Sequence, residues 1–213
     1  MKKKLPGYYD YTVVLTYCGM LFAFCGILRV LAQDYWQAVC CLMLAGVCDM
    51  FDGAVASTKE RTIRERRFGV QIDSLSDLVS FGVLPGIFVY EISDENPFVG
   101  LVAALFVLCA LIRLAYFNVL EEERQNERGG RRASFLGVPV TTIAVLLPAI
   151  YLLYDYKVCR STVCFPVMLL LVGAGFLAPI EIKKPGIAGK FGILCVGMIE
   201  AVGMFLFLGW GAV

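Results

Sequence analysis

At 213 residues, 59% hydrophobic and 17% charged, the chain is too apolar for a soluble globular domain, where about 45–50% apolar and about 25% charged residues are usual. The excess is spread over the whole length in runs near 20 residues, the length that crosses about 30 Å of hydrocarbon, so no separate soluble domain fits. A net charge of +1 says little about partners, and no nucleic-acid partner is expected.

The first apolar run, about 11–32, follows the basic start Lys2 to Lys4. It is too long for a signal-peptide core and ends in no small-residue cleavage site, so it is expected to remain as a span. Further runs fall at about 36–56, 69–92, 97–120, 137–155, 162–180 and 190–211. In lipid each must satisfy its own backbone groups and is therefore helical. The expected fold is an all-α polytopic membrane protein: a six-helix core plus a seventh C-terminal span, with residues 1–213 as one integral membrane domain. Glu200 interrupts the last run, and "ERGGRR" (127–132) reads as a flexible loop.

Four connecting segments are basic: Lys2 to Lys4, Lys59 to Arg67, Arg124 to Arg132 and Lys183 to Lys190, with 3, 5, 4 and 3 Lys+Arg. The alternate connections hold only Lys157 and Arg160, a split of 15 against 2. The positive-inside rule then places the N-terminus and all four basic segments in the cytoplasm, and a cell-membrane location is expected.

Nine cysteines and no histidine are present. Most cysteines sit in apolar runs, where a free thiol behaves as a small hydrophobe, and none shows zinc-site spacing. Cys159 and Cys164 flank a short loop and could pair in an oxidising space. Without histidine, acid–base chemistry near neutral pH falls to a carboxylate, Lys, Tyr or Cys.

The stretch "CDMFDGAVASTKERTIRERRFGVQIDSLSDLVSFG" (48–82) departs from this apolar background. At 100° per residue Asp49, Asp52, Gly53 and Ala56 share one stripe of the second span, and Gly69, Asp73 and Asp77 follow at i+4 steps on the third. Antiparallel neighbours bring four carboxylates to one depth near the cytoplasmic face. Each Asp at the centre of a span costs roughly 2.5–3.5 kcal/mol, and like charges repel. A divalent cation answers both problems; an all-oxygen site suits Mg²⁺ or Mn²⁺, and neighbouring Lys and Arg suggest a phosphate or diphosphate substrate.

This stretch resembles the signature of the CDP-alcohol phosphotransferase family, D-x2-D-G-x2-A-R-x8-G-x3-D-x3-D. Asp49, Asp52, Gly53, Ala56, Gly69, Asp73 and Asp77 match it. Ser57 stands where the pattern has arginine, and eleven residues rather than eight separate it from Gly69. Within the family, "LTYCG" (15–19), "FGVQIDSLSDLVSFGVLP" (68–85) and "IRLAYFN" (112–118) are similar to phosphatidylserine synthases.

The resemblance implies transfer of a phosphatidyl group from CDP-diacylglycerol to L-serine, giving phosphatidylserine and CMP. It implies Mg²⁺ or Mn²⁺ as cofactor and a homodimer. Carried over by position, Asp49, Asp52 and Asp73 would hold metal, with Asp77 beside them as a further ligand and as the base toward the incoming hydroxyl. The CDP-lipid would lie against Asp49, Asp52, Gly53, Ala56, Ser57, Gly69 and Asp73, with Lys59 or Arg61 supplying the cation that Ser57 does not.

Arg113 and Asn118 in the fourth span are candidates for binding serine, Arg113 through its bidentate fork; an ion pair of Arg113 with one of the aspartates is the structural alternative. Other functions stay open on the residues alone: the same chemistry on glycerol 3-phosphate or an inositol phosphate, an inactive relative lacking the arginine, or an ion-coupled transporter. Against the transporter, the carboxylates cluster at one face and the sequence gives no sign of a broken span there.

Overall fold

The computed structural model describes residues 7–126, 134–183 and 187–210. It is built from apolar helices, and their starts and stops follow from capping chemistry. Asp10 accepts from the Thr12 backbone N–H at 2.9 Å and from the Thr12 hydroxyl, opening a 3-10 turn (Tyr11–Val13) that runs into α1 (Val14–Leu31). Asp34 caps α2 (Tyr35–Ala56) by accepting from the Gln37 N–H at 3.2 Å. At the far end of α2 the Ser57 hydroxyl turns back and donates to the Ala54 carbonyl at 2.7 Å.

α3 (Ile63–Asp77) begins six residues before the apolar run does. The cause is a capping box: Glu65 N–H donates to Thr62 Oγ1 at 3.2 Å and Thr62 N–H donates to Glu65 Oε2 at 2.8 Å. The first turns, carrying Arg64, Glu65, Arg66 and Arg67, are thus helical although too polar for hydrocarbon.

Beyond Asp77 the same helix widens into a π segment, Leu78–Val83, before continuing as α4 (Leu84–Ile92). Pro85 explains the widening. It has no N–H to give Phe81, and its ring would press on that carbonyl in a regular α turn. The ladder shifts instead, and Leu84 N–H donates to Val79 O, five residues back. Ile63–Ile92 remains one continuous helical stretch, and its irregularity starts at the residue after Asp77.

α5 (Pro97–Asn126) is followed by a strand β1 (Ser134–Leu136), a 3-10 turn (Val140–Thr142) and α6 (Ile143–Asp155). α7 (Cys164–Leu177), strand β2 (Glu181–Lys183) and α8 (Ile187–Trp210) complete the chain. The seven expected spans are all present as helices, α8 among them. Four stretches, Tyr11–Leu31, Tyr35–Ala56, Ile63–Ile92 and Pro97–Glu123, are long and apolar enough to cross a membrane, and shorter apolar helices cover Val140–Asp155, Cys164–Leu177 and Leu194–Met204. The protein is an integral membrane protein. The only strands among the described residues are β1 and β2, which pair antiparallel with Phe135 opposite Ile182.

Long-range contacts tie the segment before α1, the α2–α3 connection and the end of α5 together at one end. Lys59 pairs with Asp10, and Arg67 on α3 reaches Glu122 on α5 at 3.6 Å. The β1–β2 pairing ties the α5–α6 connection to the α7–α8 connection. At the opposite end Phe88, fully buried, lies within 5.5–6.1 Å (ring centroids) of Tyr35, Tyr151 and Phe165, joining α4 to α2, α6 and α7. Small residues set the helix spacing: a Cβ on Gly46 would stand 3.0 Å from Ala144 Cβ. Cys159 and Cys164 are free, and both thiols donate to the Ser161 carbonyl, at 3.6 and 3.0 Å.

Candidate active site

The last two turns of α2 face α3, and the helical spacing delivers the expected constellation. Carboxylate oxygens of Asp49, Asp52 and Asp73 all lie within 4.8 Å of one another. Asp77, one turn on from Asp73 along α3, lines the same cleft. Four carboxylates from two helices therefore meet in one cleft. Asp52 is buried, at 8% exposure, and the other three are half-buried.

Carboxylates packed this closely need protons or a cation between them. Oxygens sharing one Mg²⁺ stand roughly 3–4 Å apart, since each lies about 2.1 Å from the ion. The observed spacing reaches that with small side-chain rotations. The donor set, hard oxygen throughout, fits Mg²⁺ or Mn²⁺ and not a soft-ligand metal.

The cleft at this cluster is lined by α1 as well: Leu15, Thr16 and Gly19 join Ser76, Ser80 and Phe81 around the aspartates. Thr16 Oγ1 donates to Asp52 Oδ2 at 3.1 Å, and Ser76 Oγ donates to the Thr16 carbonyl at 3.3 Å. Neither residue stands out in the sequence, where a Thr or Ser in an apolar helix looks like any small filler. Ser80 and Phe81 enter the cleft from the π segment, which re-aims the residues after Asp77.

Gly53 and Ala56 lie beside the cluster near the end of α2. A Cβ on Gly53 would meet no atom within 4 Å, so the protein's own packing does not require a glycine there. Gly69 is different: a Cβ would stand 2.9 Å from Arg61 Nη1. The Arg61 guanidinium thus lies on the α3 stripe one turn from Asp73. Lys59, by contrast, is taken up by Asp10 at 2.7 Å and Glu65 at 3.6 Å. Ser57 is exposed, its hydroxyl turned back on its own helix.

The two candidates on α5 separate. Asn118 Oδ1 accepts from Ser74 Oγ at 2.7 Å, which brings it beside Asp73. Arg113 is buried at 6% exposure, donates to Phe176 O at 3.0 Å and Gly137 O at 3.4 Å, and stacks over Phe117 at 4.6 Å. Gly137 has φ +68°, and a Cβ there would stand 2.8 Å from Arg113 Nη1 and from Phe176 O, so the arginine and the glycine fit each other.

The family model described as CDP-alcohol phosphatidyltransferase matches residues 11–178, which include the whole cluster and all of α1 to α7. The chain belongs to this family. An archaetidylserine synthase of Methanothermobacter thermautotrophicus is 38% identical over 143 residues, 65% of this chain and 58% of that protein. A CDP-diacylglycerol–serine O-phosphatidyltransferase of Saccharomyces cerevisiae is 38% identical over 120 residues, 55% of this chain and 42% of that protein. One of the same description from Methanocaldococcus jannaschii is 30% identical over 190 residues, 86% of this chain and 82% of that protein. The chain thus spans about half the length of the first two relatives and most of the third. No solved structure matches it.

Proposed function

We propose that this chain, as one catalytic domain, transfers a phosphatidyl group from CDP-diacylglycerol to L-serine, releasing CMP. The observation that carries this reading is the meeting of Asp49, Asp52 and Asp73 within 4.8 Å, with Asp77 one turn on. The names of the relatives supply the serine.

Asp49, Asp52 and Asp73 would hold Mg²⁺ or Mn²⁺, with Asp77 beside them. Bound there, the ion supplies Lewis-acid polarisation of the phosphate and offsets the charge of the carboxylates. Gly53 and Ala56 leave room for the nucleotide, Ser57 and Gly69 line its approach, and Lys59 or Arg61 brings positive charge to the diphosphate. Asp77 accepts the proton of the serine hydroxyl as that oxygen bonds to the β-phosphorus. The bond from this phosphorus to the bridging oxygen breaks, and CMP leaves with the electron pair. Arg113 takes the serine carboxylate, and Asn118, fixed by Ser74, orients the acceptor beside Asp73.

The basic connection Lys59 to Arg67 lies on the side of the cluster, with Arg61 against Gly69 one turn from Asp73. That supports a cell-membrane protein with its N-terminus and active site toward the cytoplasm. A homodimer is the expected assembly. The test is CMP release by the purified protein from CDP-diacylglycerol with Mg²⁺ or Mn²⁺, compared across serine, glycerol 3-phosphate and an inositol phosphate. Release stimulated by serine alone is expected. Equal release with a phosphorylated acceptor overturns the assignment of serine.

A further inference from the structure

The connection between α2 and α3 is held at both ends. On one side the segment before α1 grips it: Lys59 Nζ donates to Asp10 Oδ2 at 2.7 Å, and the hydroxyls of Tyr11 and Thr58 meet at 3.1 Å. On the other side the Thr62–Glu65 capping box starts α3, and Glu65 also reaches Lys59 at 3.6 Å. The gripping segment is itself fastened: Tyr8 packs on Phe68 with ring centroids 5.2 Å apart, and the Tyr17 hydroxyl donates to the Tyr8 carbonyl at 2.9 Å. Only Glu60 and Arg61 lie between the two fixed points.

The two cations of this connection have different situations. Lys59 is neutralised by two carboxylates. Arg61 makes no ion pair among the described residues and is half-buried against Gly69. One helical turn, about 6 Å, separates Gly69 from Asp73 on the same face. An anion seated against four carboxylates needs a fixed cation close by, and a guanidinium presents two parallel donors to phosphate oxygens.

We propose that Asp10 is a positioning residue for substrate binding: by holding Lys59 it fixes the α2–α3 connection so that Arg61 rests on Gly69, where its guanidinium takes oxygens of the nucleotide diphosphate. This rests on the reading of the substrate as a CDP-lipid. It assigns the two cations different tasks, Arg61 binding and Lys59 anchoring. The longer connection thereby places a guanidinium at the mouth of the site although Ser57 contributes none.

The test uses the full chain in detergent micelles with CDP-diacylglycerol as the probe, measuring its Kd, the KM for serine at saturating lipid, and hydrogen exchange of residues 57–62. Arg61→Gln should weaken CDP-diacylglycerol binding about tenfold, as loss of a charge-assisted hydrogen bond does. Asp10→Asn should weaken it about two- to fivefold, the scale of a partly exposed ion pair, and should speed exchange across the connection. Serine KM should not move in either variant.

Asp10→Glu, and the exchanged pair Asp10→Lys with Lys59→Asp, should restore binding. The double variant Asp10→Asn/Arg61→Gln should bind no more weakly than Arg61→Gln, because Asp10 acts only through Arg61. Unchanged lipid affinity in Asp10→Asn, or effects that multiply in the double variant, overturn the anchoring role. A wild-type protein that binds no CDP-diacylglycerol overturns the functional reading itself, and this inference with it.

Discussion

Thr16 on α1 and Asp52 on α2 are joined by a buried hydrogen bond, hydroxyl to Oδ2, at 3.1 Å. Thr16 is in turn held through its carbonyl by the Ser76 hydroxyl of α3. The first helix therefore brings no carboxylate to the cluster but fixes the orientation of one, and the chain of bonds Ser76–Thr16–Asp52 links three helices around it. Groups that orient metal ligands in this way typically change metal affinity or activity 10–100-fold when removed, about 1.4–2.7 kcal/mol.

Thr16→Val keeps the shape and deletes the donor. Mn²⁺ affinity, read by electron paramagnetic resonance in the absence of substrate, should fall about tenfold or more, and Thr16→Ser should recover it. Equal Mn²⁺ affinity in Thr16→Val and wild type would remove Thr16 from the site and leave it a packing residue.

Asp77 and Asp52 should respond differently to loss of charge. Asp77→Asn should cut kcat by roughly 10²–10⁴ with CDP-diacylglycerol binding largely kept, the mark of a missing general base. In the proposed metal site Asp52→Asn removes one of few anionic oxygen ligands, so divalent-ion binding should be lost along with turnover. If binding and turnover fell in parallel in Asp77→Asn, that residue would be better placed among the ligands.

Gly53 offers a test in which stability and function move in opposite directions. No atom lies within 4 Å of a Cβ added there, so Ala meets no clash. Gly→Ala inside a helix is worth up to about 1 kcal/mol, and near the α2 terminus somewhat less. The thermal midpoint of Gly53→Ala should hold or rise, while CDP-diacylglycerol binding weakens because the methyl group enters the space meant for the nucleotide. Normal binding with a raised midpoint would show the glycine to be dispensable.

The helices and the aspartate cluster were legible because both follow from local rules. Apolar runs of spanning length have one solution in lipid, and Asp spacings of three and four residues convert directly into a shared face. What escaped depends on partners far along the chain or on a backbone shift. Thr16 finds Asp52 across 36 residues and Arg113 finds Phe176 across 63, and neither spacing carries a period. The π segment was signalled only by Pro85, which in a membrane helix reads equally as a mild kink. The start of α3 could have been found: Thr62 and Glu65 are a capping-box pair standing in a stretch that otherwise reads as a charged loop. Lys59 and Arg61 are equivalent as sequence; Asp10 and Glu65 against the one and Gly69 against the other distinguish them.

Arg113 holds Phe176 and Gly137 and is proposed to take the serine carboxylate, and one substitution separates the two roles. Arg113→Lys keeps the charge but loses the planar fork. Serine KM should rise severalfold with CDP-diacylglycerol binding nearly unchanged, and the thermal midpoint should drop because the bonds to Phe176 O and Gly137 O are weakened. A lower midpoint with an unchanged serine KM would assign Arg113 to tying α5 to α7 alone.

The last prediction concerns pH at the Asp10–Lys59 pair. The hydrogen bond from Lys59, followed by that from the Thr12 hydroxyl, lowers the Asp10 carboxyl from its ordinary 3.8 to about 2. A folded-state value below the unfolded one means that the pair stabilises fully above the unfolded value, and that this stabilisation fades as pH falls from about 4 toward 2. On the alkaline side Lys59 is raised by the same partner, so its charge persists beyond its usual 10.5. The difference in thermal midpoint between wild type and Asp10→Asn should therefore stay constant from pH 5 to pH 9 and shrink only below about pH 4. Melting curves in detergent across that range check it. A difference that already vanished near pH 6 would mean that Asp10 is not held by Lys59 as an ionised carboxylate, and the anchoring of Arg61 would lose its basis.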